Sequence, residues 1–98
     1  MVQLGEYLIL RADGTEERVP KRPTIQAVHE AMKAVNLSLD SFTISRDPPV
    51  LAFVVDCGHE LGLPVNKKAT NLYLERCRPG TDWQIRGDVV IVNDGDFA

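Results

Sequence analysis

Residues 56–60 hold the densest group of reactive side chains in the chain: Cys57 and His59 flank Gly58, with Asp56 and Glu60 outside them. A thiolate formed beside an imidazole is a competent nucleophile when the two groups come within hydrogen-bond reach. Adjacent positions on an extended turn, however, point their side chains apart, and nothing in the sequence supplies an oxyanion hole. The expectation is a cysteine that ends a buried strand and a histidine on a polar turn. No catalytic residue is assigned, and a cysteine-dependent enzyme ranks third among the readings of function.

Zinc is the next chemistry to test. Cys57, His59, Cys77 and His29 supply four suitable donors on paper. The chain has no Cys-x-x-Cys pair, and one Cys-x-His step does not match the spacing of structural zinc sites. Cys77 falls on the apolar stripe of a helix, where a free cysteine acts as a small hydrophobe. His29 sits beside Val28 on another helix, as a flank residue. Gly58, Gly62 and Gly80 are too scattered for a phosphate-binding loop. No metal and no other cofactor is expected.

Asn66-Lys67-Lys68 opens a helix, where unpaired N–H groups and the positive end of the dipole favour an anion. Lysines there oppose the dipole, a cost that makes sense if an anion sits nearby. Arg76 and Arg78 would add charge, and Trp83 would stack on a base. The candidate ligand set is therefore Asn66, Lys67, Lys68, Arg76, Arg78 and Trp83, and the ligand class is a small anion such as a nucleotide signal. The plainer reading is a solvated charged face. Tyr73 lies on an apolar helical stripe and belongs to the core. Arg86-Gly87-Asp88 reads as a turn before a strand, and the acids at 82, 88, 94 and 96 are too interspersed to mimic DNA.

The apolar pattern sets the elements that must hold these residues. Tyr7–Leu10 is an apolar run, Asp13-Gly14 suits a tight hairpin turn, and Thr15–Val19 returns as a mostly polar edge strand stopped by Pro20. Ile25, Val28, Met32 and Val35 recur at helical spacing, with Thr24 as N-cap and Asn36 as stop. Phe42 and Ile44 alternate with polar neighbours, a half-buried strand. Asp47-Pro48-Pro49 turns the chain into Val50–Val55, apolar on both faces and so expected at the middle of the sheet. Asn66 caps a second helix to about Arg76, with Ala69, Leu72, Tyr73 and Cys77 buried. Arg78-Pro79-Gly80-Thr81 breaks it, and Val89–Val92 is a last buried strand before a short acidic tail. The order β-β-α-β-β-α-β predicts an α+β two-layer sandwich, with both helices on one face of a mainly antiparallel sheet of about five strands.

The chain's 98 residues fit one domain spanning 1–98, and its composition, 44% hydrophobic and 26% charged, can fill a core without disulfides or metal. A net charge of −3 disfavours non-specific nucleic-acid binding. Two cysteines are few for a secreted disulfide scaffold. The first ten residues lack a basic leader, and no stretch reaches the length of a membrane span. These features predict a soluble, cytoplasmic protein.

Gly58-His59-Glu60-Leu61-Gly62-Leu63-Pro64-Val65-Asn66-Lys67-Lys68-Ala69, preceded by a strand and followed by a helix, resembles a short domain family of unknown function common in phages, plasmids and actinobacterial mobile elements. Its members show a Gly-Leu-Pro-Pro-Asn loop followed by basic residues, with Val65 here in place of the second proline. They close with a Gly-Asp-Val-Val strand, matched by Gly87-Asp88-Val89-Val90. The family has no agreed activity. The resemblance therefore implies a fold and a setting, an accessory product acting inside a bacterial host cell, and no reaction. The first expectation of function is a non-enzymatic binding protein directed at a host protein. The second is a binder that sequesters a nucleotide signal of host defence. The open edge at Thr15–Val19 would also let two copies pair as a homodimer.

Overall fold

The computed structural model describes residues 2–76 and 83–97. Its elements follow the expected order: β1 (Tyr7–Leu10), β2 (Glu16–Val19), α1 (Ile25–Ala31), β3 (Leu39–Arg46), β4 (Pro49–Val55), α2 (Lys67–Arg76) and β5 (Val89–Asn93), with a closing 3-10 turn at Asp94–Phe97. The strands form one five-stranded sheet in the order β2-β1-β5-β4-β3. Every neighbouring pair is antiparallel. The α+β class, the strand number and the element order are as the sequence predicts. Cys77, Arg78 and the helix break at 78–81 lie outside the described residues. No helix among the described residues is long and apolar enough to cross a membrane.

The two helices do not share a face, which corrects the two-layer expectation. Leu8, Leu10, Val50, Ala52, Val89 and Ile91 pack with Ala69, Leu72 and Tyr73 of α2. The alternate residues Tyr7, Ile9, Leu51, Phe53, Val90 and Val92 pack with Val28 and Met32 of α1. The sheet is sandwiched between the helices. Side chains alternate along a strand, so a run apolar at every position must be covered on both sides. Tyr7–Leu10 and Val89–Val92 carry that signature alongside Val50–Val55.

The centre of the sheet is also corrected. It is β5, buried at all five positions and hydrogen-bonded to β1 and β4. Val50–Val55 lies one strand out, between β5 and the edge strand β3, and is only partly buried at Leu51, Phe53 and Val54. Local sequence marks a strand as covered but does not say which strands flank it. β2 takes the edge position expected of it, beside β1 alone.

Helix α1 is shorter than its periodicity suggests. Thr24 caps it, its hydroxyl accepting from the amide of Ala27 at 3.1 Å. Val28 and Met32 are buried, but Ile25 and Val35 are more than half exposed. The helix stops early because Lys33 adopts a left-handed conformation, φ +57°. The Lys33 amide then donates to the Glu30 carbonyl and the Ala34 amide to the His29 carbonyl, a Schellman closure. Its effect is to bury Ala34 and turn Val35 outward. His29 belongs to this closure, its Nδ1 lying 2.8 Å from the Ala34 carbonyl.

The acidic terminal segment is docked against the domain. Asp96 is buried, accepts the Gly5 amide on both carboxylate oxygens at 3.1 and 3.2 Å, and lies 3.8 Å from Arg22.

Candidate functional site

Most of the expected ligand set serves the fold or stands apart. Asn66 is fully buried, and its side chain is fully engaged. Its Oδ1 caps α2 by accepting from the Ala69 amide, and its Nδ2 donates to the carbonyls of Leu10 and Gly87, both at 2.9 Å. The capping role expected of Asn66 holds, and no donor of its amide remains for a ligand. Lys68 pairs with Glu16 of β2 at 3.2 Å, and Lys67 is exposed. Arg76 lies at the far end of α2, about 14 Å along the axis from Lys67 at 1.5 Å per residue. Arg78 lies outside the described residues. Trp83 is 57% exposed and lines a cleft to which neither Lys67 nor Lys68 contributes.

The Gly58–Ala69 and Gly87–Val90 motifs meet each other in space. The Gly87 amide donates to the Pro64 carbonyl, the Asn66 amide to the Ile85 carbonyl, and Val65 bridges to Arg86. Gly87 sits at φ +85°, and a Cβ there would fall 2.9 Å from Leu63. Asp88 accepts from the Ala12 amide and from Arg11 Nη1, each at 2.9 Å. Burial opposes the Arg11 charge, yet Asp88 and then Glu17 hold its pKa above the ordinary value. These residues form a structural clasp joining the start of α2, the entry to β5 and the end of β1.

The described residues do enclose a cleft, of about 680 Å³, on the α2 side of β3 and β4. Asp40 and Phe42 come from β3, Val54 from β4 and Tyr73 from α2; Asp56, His59 and Glu60 come from the following turn, and Trp83, Gln84 and Arg86 from the approach to β5. Phe42 and Tyr73 meet edge to face, with ring centroids 5.1 Å apart. Tyr73 is half-buried core, as expected, and also lines the opening.

The described lining of the cleft is acidic. Among the described lining residues three carboxylates, Asp40, Asp56 and Glu60, stand against one guanidinium, Arg86. Arg86 is drawn toward the clasp, donating to the Leu63 carbonyl at 2.9 Å and to Gln84 at 3.4 Å. The residues flanking Cys57 separate accordingly. Cys57 packs against the α1-side cluster, whereas His59 lines the cleft on the α2 side. Among the described residues no three His, Cys, Asp or Glu side chains are grouped to hold a metal.

Sequence reasoning did not single out Asp40, Phe42 or Gln84 for a site. Asp40 carried a readable signal, because aspartate is disfavoured in a strand. Here its Oδ1 accepts the Ser41 amide at 2.8 Å. Compared with family models, with curated proteins and with solved structures, the chain matches none.

Proposed function

We propose that this chain is a non-enzymatic binding protein, an accessory product of a phage or mobile element that engages a host protein in the cytoplasm of a bacterial cell. The observation that carries this reading is the open cleft of about 680 Å³, in which an exposed Trp83 and half-buried Phe42 and Tyr73 share a surface with ionised groups. Aromatic side chains beside a polar rim are the usual make-up of binding hot spots. The separation of Cys57 from His59 favours binding over nucleophilic catalysis. The resemblance of residues 58–69 and 87–90 to a mobile-element family supplies the setting.

The nucleotide-sequestering alternative draws less support from the geometry. Its lysines do not line the aromatic cleft, and the described lining holds three carboxylates that repel phosphate.

Affinity capture from bacterial lysate tests the proposal. The full chain is expected to retain a reproducible protein that Trp83→Ala fails to retain. Absence of any reproducible partner, together with a thermal shift on nucleotide addition, would transfer the assignment to the small-molecule reading.

A further inference from the structure

The chemistry of the cleft also indicates what kind of surface it fits, and this step rests on the binding-protein reading above. A ligand entering the cleft meets Asp56 and Glu60 on the turn after β4, Asp40 on β3 and the ring of Trp83. Among the described residues lining the cleft the one guanidinium, Arg86, already donates to a backbone carbonyl and to Gln84. An incoming anion would therefore face carboxylates, while an incoming cation would find them with their charge largely uncompensated. An indole face adds to that preference, because its quadrupole attracts ammonium and guanidinium groups. Apolar lining from Phe42, Val54 and Tyr73 suits the methylene stem that carries such a group.

We propose that the cleft receives a basic segment of the partner protein, with a lysine or arginine head group held by Asp56 and Glu60 and its stem against Trp83 and Tyr73. Charge complementarity selects this occupant. A second copy of the chain, itself at net charge −3, is a poorer match. Asp56 and Glu60 are exposed, so neutralising them removes charge from the cleft without removing a buried contact. Asp40 is left intact in the test because it already satisfies the Ser41 amide.

Trp83 is the sole tryptophan, so its fluorescence reports directly on the cleft. The full chain is titrated with a capped peptide alternating arginine and serine, and with its counterpart alternating glutamate and serine. Saturable change is expected with the arginine peptide only. Asp56→Asn/Glu60→Gln should weaken it about tenfold or more, the scale of losing charge-assisted hydrogen bonds. Added salt should weaken it further. Circular dichroism of the variant checks that it remains folded, and Asp56→Asn alone gives a milder second variant. An equal response to the glutamate peptide, no response to either, or unchanged affinity in a folded variant overturns the proposal. Lysate capture separates the two readings: a partner kept by Asp56→Asn/Glu60→Gln leaves the binding protein standing and removes the basic segment. Loss of every partner from the unaltered chain removes both.

Discussion

The side-chain amide of Asn66 donates one hydrogen to the carbonyl of Gly87 and the other to that of Leu10, each at 2.9 Å, while its oxygen caps α2. Three segments far apart in the chain are thus fixed by one buried side chain. Asn66→Ala removes a helix cap, worth about 1 kcal/mol. It also strands two carbonyls, at about 1–3 kcal/mol each where they stay dry. The expected loss is about 3 kcal/mol or more. For a domain of this size that lowers Tm by roughly 12–24 °C. Asn66→Asp retains a capping oxygen but sets a buried carboxylate against two carbonyl oxygens, so it should rescue nothing. Thermal unfolding of both variants decides the matter: a fall of only a few degrees in Asn66→Ala, or full rescue by Asp, would contradict the clasp.

Lys33 closes α1 with a left-handed backbone that glycine adopts without strain. Lys33→Gly should stabilise the fold by about 0.5–1 kcal/mol, the relief of strain outweighing the extra freedom gained by the unfolded chain. Chemical denaturation would show a higher midpoint at unchanged slope. A lower midpoint would mean that the lysine side chain makes a contribution larger than its strain.

Asp13 sits in the β1–β2 turn, where the Thr15 hydroxyl and then the Thr15 amide donate to its carboxylate and hold its pKa below the ordinary aspartate value. A carboxylate shifted in this direction supports the folded state above its unfolded pKa and ceases to do so as pH falls through the folded one. Because Asp13 is exposed, the effect belongs in its own titration rather than in global stability. Thr15→Val deletes the hydroxyl and keeps the amide. The Asp13 carboxyl followed by NMR should then titrate at higher pH than in the unaltered chain. An unmoved titration would show that the hydroxyl does not hold the carboxylate.

Much of the fold was legible in local pattern. The Thr24 cap, the Asp13-Gly14 turn, the polar edge at β2 and the Asn66 cap each depend on residues within a few positions of one another. What was missed depends on distant segments. Apolar runs at 7–10 and 89–92 signalled strands covered on both faces, yet placing each helix requires knowing which way the chain crosses the sheet. Val50–Val55 looked central because coverage is local information, whereas adjacency to β1 is not. The Schellman closure at Lys33 was invisible because glycine is its usual marker.

The candidate site was less legible. The reading of Trp83 beside the lysines differs from its place in the structure: its acidic neighbours in the cleft come from elsewhere in the chain, Asp40 from β3 and Asp56 and Glu60 from the turn after β4. The Asn66-Lys67-Lys68 signal was real at the level of the helix start. Its asparagine is consumed by the clasp, and Lys68 by Glu16.

With a helix on each face, the sheet meets water along its two outer strands, and those rims decide whether lateral growth from one copy to the next can begin. β2 offers four residues carrying Glu16, Glu17 and Arg18. β3 is longer, but its register slips between Thr43 and Ser45, and Asp40 occupies the Ser41 amide that a newcomer would need. Short length, charge and an irregular ladder are the means by which native edges resist runaway strand addition. Both rims of this valine- and isoleucine-rich sheet therefore carry features that oppose templated strand addition.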